Sequence, residues 1–360
     1  MAEIKAQEKL ENLGKRVVQK IKQGENPYID VPIRALSNVD YNQKTQKLQL
    51  GDKSAKRFFL NVAHAKKFLQ TFEVASIAHD LLDKKKHASL RDVFYMAKRT
   101  IPGTSVNLVD DQTETDATIE DLELLSDCSR EQLHINANKN GSVAGKVIIE
   151  DLGDSIDWSR LGSGGWSIPS NVEDIKFKKV EAKYILYMEK AAVWERLHED
   201  KYWEKQKCII MSSQGQTTRG IRRLLSRLHD EFKLPIYVLT DFDPWGFYIY
   251  SVMKFGSISL AHISESQAIS DIRFLGITGE DITKYGLQKH LIKMNENDLK
   301  RLDQIAKYEW FEKNKLWQKQ FAIMKQLKAK AEIQALSSRG ISFISEKYLP
   351  EKIKNEDFLD

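Results

Sequence analysis

The chain has 360 residues, with 56 Lys and Arg against 51 Asp and Glu for a formal net charge of +5, and it is 41% hydrophobic and 30% charged. Such a length accommodates two or three domains with a sizeable core in each, and the composition is that of a water-exposed globular protein. Seven Pro and 18 Gly exclude collagenous or low-complexity stretches, while two cysteines exclude a disulfide framework or Cys-rich zinc site and suit a reducing cytosol.

Residues 1–26 predict a charged helix with no strong apolar stripe, unlike a secretion signal and suited to packing on a partner. No apolar run approaches the roughly 18 residues of a membrane span. Residues 1–70 thus read as an N-terminal arm, with short alternating runs (Ile29, Val31, Ile33; Leu48, Leu50) predicting a few strands. From Ala63 to about Thr100 the pattern is helical, broken by Lys84-Lys85-Lys86-His87. Ser89, with Asp92 three positions on, starts the next helix as a capping box. These helices precede strand-like pieces at 133–135 and 147–149 that flank a turn at 138–141. The combination predicts a winged helix-turn-helix domain over 71–150.

Residues 151–178, carrying Arg160-Leu161-Gly162-Ser163-Gly164-Gly165 and Pro169, predict a linker with a hinge. Beyond them the rhythm changes. Strands at 184–188, 208–211 and 235–239 alternate with helices from Ala191, over 218–232 and over 247–254. That alternation predicts a parallel, helix-covered α/β sheet within 179–360, extended by charged helices over 287–330.

Three carboxylates stand out in the α/β part. Glu189 directly follows one apolar strand, and Asp241 and Asp243 directly follow another. Open parallel sheets gather functional groups at the carboxyl ends of their strands, and hard oxygen ligands clustered there suit Mg²⁺. Read alone, Asp-Phe-Asp-Pro-Trp-Gly is also good turn chemistry. Tyr95 is the second feature. Leu90, Val93, Phe94 and Ala97 share one helical face, which puts Tyr95 on the polar side beside Arg91, Lys98 and Arg99. A tyrosine among three cations is placed for a phosphate, although it would equally lie across its neighbours' stems. Basic residues recur at Lys84–Lys86 and at Arg219, Arg222, Arg223 and Arg227, each sufficient for no more than a solvated face. Gly-Ser-Val-Ala-Gly-Lys at 141–146 is one residue short of a phosphate loop and is rejected. The eight histidines show no paired metal spacing, and seven spread tryptophans do not form a base-stacking platform.

The segments SLRDVFYMAK, EDLGDSIDWSRLGSGGWSIPS, YILYMEKAAVWERL and VLTDFDPWGFYIYSVMKFGSISLA resemble the archaeal topoisomerase VI A-subunit family. This type IIB family includes the meiotic double-strand-break protein, and the resemblance spans about Phe72 to Pro350 in order. It implies a CAP-like winged-helix domain with a catalytic tyrosine, followed by a Toprim domain with an acidic Mg²⁺ site. The family's tyrosine motif usually has two adjacent tyrosines with the second as nucleophile; here they are Phe94 and Tyr95. Arg91 matches the arginine ahead of them, Glu189 the Toprim glutamate, and Asp241 with Asp243 the Asp-x-Asp pair. The implied activity is transient cleavage of double-stranded DNA through a 5′-phosphotyrosyl link. A C2 homodimer would pair the tyrosine of one protomer with the metal site of the other. ATP would be bound by a separate GHKL-ATPase B subunit in an A2B2 heterotetramer, with residues 1–70 docking it. The expected location is the cytoplasm, at the nucleoid, with no membrane partner. A Toprim-type hydrolytic nuclease and a non-catalytic winged-helix DNA-binding protein stay open as alternatives.

Overall fold

A computed structural model describes residues 2–360, which divide into two compact units. The first takes the chain up to Val39, Leu50–Asn138 and Ile258–His262; the second takes Asp40–Gln49, Lys139–Ser257 and Ile263–Asp360.

The first unit is built on four helices, α1 (Ala2–Lys22), α2 (Val62–Asp83), α3 (Leu90–Ala97) and α4 (Gln112–Ser126), with an antiparallel strand pair, Tyr28–Pro32 and Ser54–Phe58. One core joins them, including Leu10, Leu13, Val74, Ala78, Val93 and Leu122. The expectation for the N-terminal helix is corrected here. Ala6, Leu10 and Leu13 are buried and Val17 packs against the same core, so the charged sequence hides a narrow stripe at i, i+4, i+7 and i+11. Accordingly the arm shares its core with the helical segment that follows it. Asp121 of α4, itself buried, is fixed by Arg34 Nη2 at 3.0 Å and Arg57 Nη1 at 2.7 Å, which satisfies a charge that would otherwise be costly to bury.

The wing is also placed differently from the sequence expectation. Ile135–Asn136 pairs in parallel with Ala88–Ser89. Val147–Asp151 lies in the second unit, between Asp154–Asp157 and Lys176–Val180 in an antiparallel three-stranded sheet. The two pieces assigned to a wing are therefore not partners. Gly141, assigned to the wing turn, packs instead against the strand Ile209–Ser212. A Cβ there would meet Ser212 O at 2.1 Å, and its φ of +79° also favours glycine.

In the second unit a six-stranded sheet runs in the order Trp166–Ser167, Ser142–Ala144, Ile209–Ser212, Ile185–Met188, Ile236–Leu239, Arg273–Gly276. The last four are parallel and the first two are antiparallel additions at one edge. The three foreseen strands are all present, almost wholly apolar and buried because both faces are covered, with Ser212 the polar exception. Between them run α5 (Ala191–Glu199), α6 (Tyr202–Lys205) and α7 (Arg219–Phe232); α8 (Pro244–Lys254) follows the third strand. Later helices Glu296–Ile305 and Lys315–Leu327 bury Leu302, Ile305, Trp317 and Phe321. The stretch 151–178, expected as a linker, carries the strands Asp154–Asp157 and Trp166–Ser167 and the start of Lys176–Val180. Trp158 is buried within it, and a Cβ on Gly165 would strike the Trp194 ring at 2.7 Å, so Gly165 is a packing contact, whereas Gly162 and Gly164 border open space.

Candidate active site

Among the parallel strands the sequence order across the sheet is second, first, third, fourth. Chain order therefore reverses between Ile185–Met188 and Ile236–Leu239, and the crevice beyond their carboxyl ends is the expected ligand site of such a sheet. Glu189 leaves the first of these strands and Asp241 the second. The two exits are joined, since the Glu189 amide donates to Leu239 O at 3.2 Å.

Asp241 is buried, and both of its oxygens are engaged. Oδ1 accepts the Ile333 amide at 2.8 Å, and Oδ2 lies 2.8 Å from Lys190 Nζ, which also sits 3.1 Å from Glu332 Oε2. Phe242 and Ala331 exchange backbone hydrogen bonds in both directions, at 2.9 and 3.0 Å, which ties the acidic loop to a segment some ninety residues on. Asp243 is the N-cap of α8: Oδ1 accepts the Gly246 amide at 2.6 Å, and Pro244 occupies the first turn. Turn chemistry and acidic site are thus the same residues. Gly246 is needed for closeness alone, because a Cβ would stand 2.5 Å from Asp241 O.

Glu189 is the anomaly of the site. Its Oε2 is buried with no hydrogen-bond partner, and burial, reinforced by the charges of Asp241 and Asp243, pushes its carboxyl up to about 8. Burial also raises Asp241, opposed by Lys190 and the Ile333 amide, and raises Asp243, opposed by the Gly246 amide and aggravated by Asp241. Three carboxylates raised chiefly by burial, with Asp241 adding to the shift of the other two and Glu189 bearing an orphaned oxygen, are a donor set of the right chemistry for a hard divalent cation. Among the described residues, however, no group of three side chains converges as a ready ligand set, and the cation on Asp241 is the Lys190 ammonium.

Sequence reasoning missed Lys190, Glu332, Asp298 and Lys330. Lys330 Nζ is 2.9 Å from Asp298, and both act electrostatically on Asp243. Lys190 is legible only as the neighbour of Glu189, whereas the others come to the acidic loop from far along the chain.

Tyr95 belongs to the first unit. The helix that carries it is begun by the foreseen capping box: Ser89 Oγ accepts the Asp92 amide at 3.1 Å, and Asp92 Oδ2 accepts the Ser89 amide at 2.8 Å. Val93, Phe94 and Ala97 are buried, so Tyr95 is turned outward, 58% exposed, and its ring lies 5.8 Å from the Arg91 guanidinium carbon. Of its other basic neighbours, Lys98 lies over the Phe94 ring and Arg99 is ion-paired with Glu73.

The basic cluster on α7 is spent within the protein. Arg219 and Arg222 are buried, Arg223 pairs with Glu173, and Arg227 Nη1 donates to Ile175 O at 2.9 Å.

Profiles of known families match three successive parts of the chain. Residues 66–135 match "Type IIB DNA topoisomerase", and 138–181 match "All-beta domain in DNA topoisomerase VI alpha subunit". Residues 184–353 match the Toprim domain shared by Spo11 and the topoisomerase 6 A subunit. The all-β match covers the segment expected to be a linker. Among curated relatives, the A subunit of type 2 DNA topoisomerase 6 from Pyrococcus abyssi is 44% identical, covering 99% of this chain and 95% of its own length. The protein of that name from Saccharolobus shibatae is 38% identical over 95% of this chain and 93% of its own. The DNA topoisomerase 6 A subunit of Arabidopsis thaliana is 34% identical over 98% and 81%.

Proposed function

The chain belongs to the family of type 2 DNA topoisomerase 6 A subunits, the DNA-cleaving catalytic subunits of type IIB topoisomerases, and we propose that it cuts through Tyr95. The observation that carries this reading is an outward tyrosine beside Arg91 on a capped helix whose other face is buried.

In the proposed reaction the Tyr95 phenolic oxygen attacks a backbone phosphorus in line. The new tyrosyl O–P bond forms as the P–O3′ bond breaks, and the electron pair leaves with the 3′ oxygen. The phenolic proton goes to solvent and the 3′ oxygen takes one up, so one phosphodiester replaces another and the step reverses without an energy source. Arg91 supplies positive charge beside the ring, where it would steady the phosphate under attack. Glu189, Asp241 and Asp243 would hold Mg²⁺, with Asp241 exchanging its contact to Lys190. When bound, the ion neutralises phosphate charge and stabilises the transition state. The orphaned oxygen of Glu189 supports this assignment.

Cutting a duplex needs two nucleophiles, which a C2 homodimer provides, with Tyr95 of one protomer serving the acids of the other. A separate ATPase subunit completes an A2B2 assembly and couples strand passage to ATP. The first 70 residues are proposed to dock it, supported by the outward Ile4, Val18 and Ile21 on α1. No helix among the described residues is long and apolar enough to cross a membrane.

The test is denaturation of the complete complex during turnover on plasmid DNA. Protein covalently attached to 5′ ends is expected, and it should be absent in Tyr95→Phe, whose stability stays within about 0.5 kcal/mol because the hydroxyl is exposed. Linear DNA with protein-free ends would favour hydrolysis instead.

A further inference from the structure

Arg301 lies on the helix Glu296–Ile305, three positions beyond Asp298 and so on the same face. Its guanidinium carbon is 3.7 Å from the centroid of the Tyr248 ring and 5.2 Å from that of Trp245. Both rings belong to α8, the helix that Asp243 caps. The side chain is therefore stacked in place at the border of the acidic site.

What it lacks is an anion. Nη1 donates only to neutral acceptors at long range, Gln304 Oε1 at 3.3 Å and the Tyr308 hydroxyl at 3.4 Å, and Nε is buried with no partner. No carboxylate among the described residues pairs with it. Three other buried or half-buried cations of this unit do have one: Lys330 with Asp298 at 2.9 Å, Lys190 with Asp241 at 2.8 Å, Lys254 with Asp360 at 3.3 Å. Arg301 is half-buried, so the cost falls on the Nε withdrawn from water without a partner, and stacking on aromatic faces offsets only part of it. A planar fork held rigid and left unpaired is suited to a phosphate, which accepts two parallel hydrogen bonds from it. The location agrees, because a polyanion approaching four clustered acids (Glu189, Asp241, Asp243, Asp298) needs fixed positive charge beside them.

We propose that Arg301 is a phosphate-binding residue, gripping the backbone of the duplex next to the acidic site, with Tyr248 and Trp245 fixing the guanidinium for that role. The proposal rests on the DNA-cleaving reading above. It departs from the alternative in which Arg301 only glues two helices together.

The experiment measures binding of the full chain to a short duplex by fluorescence anisotropy across a salt series, without metal, so that no cleavage is required. Arg301→Gln should bind roughly tenfold more weakly at low salt, and the slope of log K against log salt should fall by about 0.9 for each phosphate no longer neutralised. Arg301→Lys should keep the slope. Wild-type affinity and slope in Arg301→Gln would overturn the proposal. Should Gln impair folding, the unmutated chain decides: duplex DNA should protect Arg301 from phenylglyoxal, and equal modification with and without DNA overturns the idea. Tyr95→Phe, run alongside, separates the two readings. If DNA binding depends on Arg301 while no link forms to Tyr95, only the cleavage reading fails; if Tyr95 links to DNA while Arg301→Gln binds normally, only this proposal fails.

Discussion

Glu189 retains its proton in the fold where an ordinary glutamate would have released it. In the unfolded chain the carboxyl ionises near 4.5, while in the folded chain burial and two neighbouring aspartates delay this to about 8. Between those values the unfolded state binds fewer protons, so stability falls as pH rises. The contribution is fully present below about pH 4.5 and is lost by about pH 8. We expect Glu189→Gln, in chelator at pH 8, to melt above the wild type, the two converging near pH 5. Cleavage should be lost in the same variant. Equal melting temperatures at pH 8 would remove the case for Glu189 as a destabilised, cation-seeking group.

At the scale of elements, the N-terminal helix is the instructive one. With Leu10 in the shared core, Leu10→Ala should cost about 2–5 kcal/mol by chemical denaturation of the chain, whereas a free arm would make the change neutral. This helix also marks a boundary of what its sequence discloses. Strong signals were readable: the capping box at Ser89 and Asp92, the apolar face of α3, the three buried strands, and the acids at the ends of two of them. Their causes are local, lying in dihedral preference, periodicity and strand alternation. The stripe of Ala6, Leu10, Leu13 and Val17 was masked because flanking charges lower the average around it. The strands within 151–178 were missed because short, polar β-pieces carry their meaning in distant partners. The same holds for Asp298, Lys330 and Glu332, which join the acidic loop through tertiary contacts that no short window contains.

For the whole assembly, the proposed division of labour between protomers has a clear genetic test. In a dimer formed from one Tyr95→Phe chain and one Glu189→Gln chain, a site shared between protomers leaves one pairing with both groups intact and the other with neither. Such a mixed dimer should nick a single strand. If tyrosine and acids act within one chain, each site carries one defect and neither strand is cut. Gel analysis of plasmid treated with purified mixed dimers distinguishes the outcomes.

The paired hydrogen bonds between Phe242 and Ala331, with Asp241 anchored on the Ile333 amide, make a late stretch of chain a wall of the candidate site. Three residues there act as a clasp whose spacing must match the loop it holds. Adding or removing one amino acid between 331 and 333 would move one anchor past the other. The lesion would lie far in linear order from the residues proposed to act, yet it would surface as misplacement of Asp241 and, under the proposed function, as a defect in cleavage.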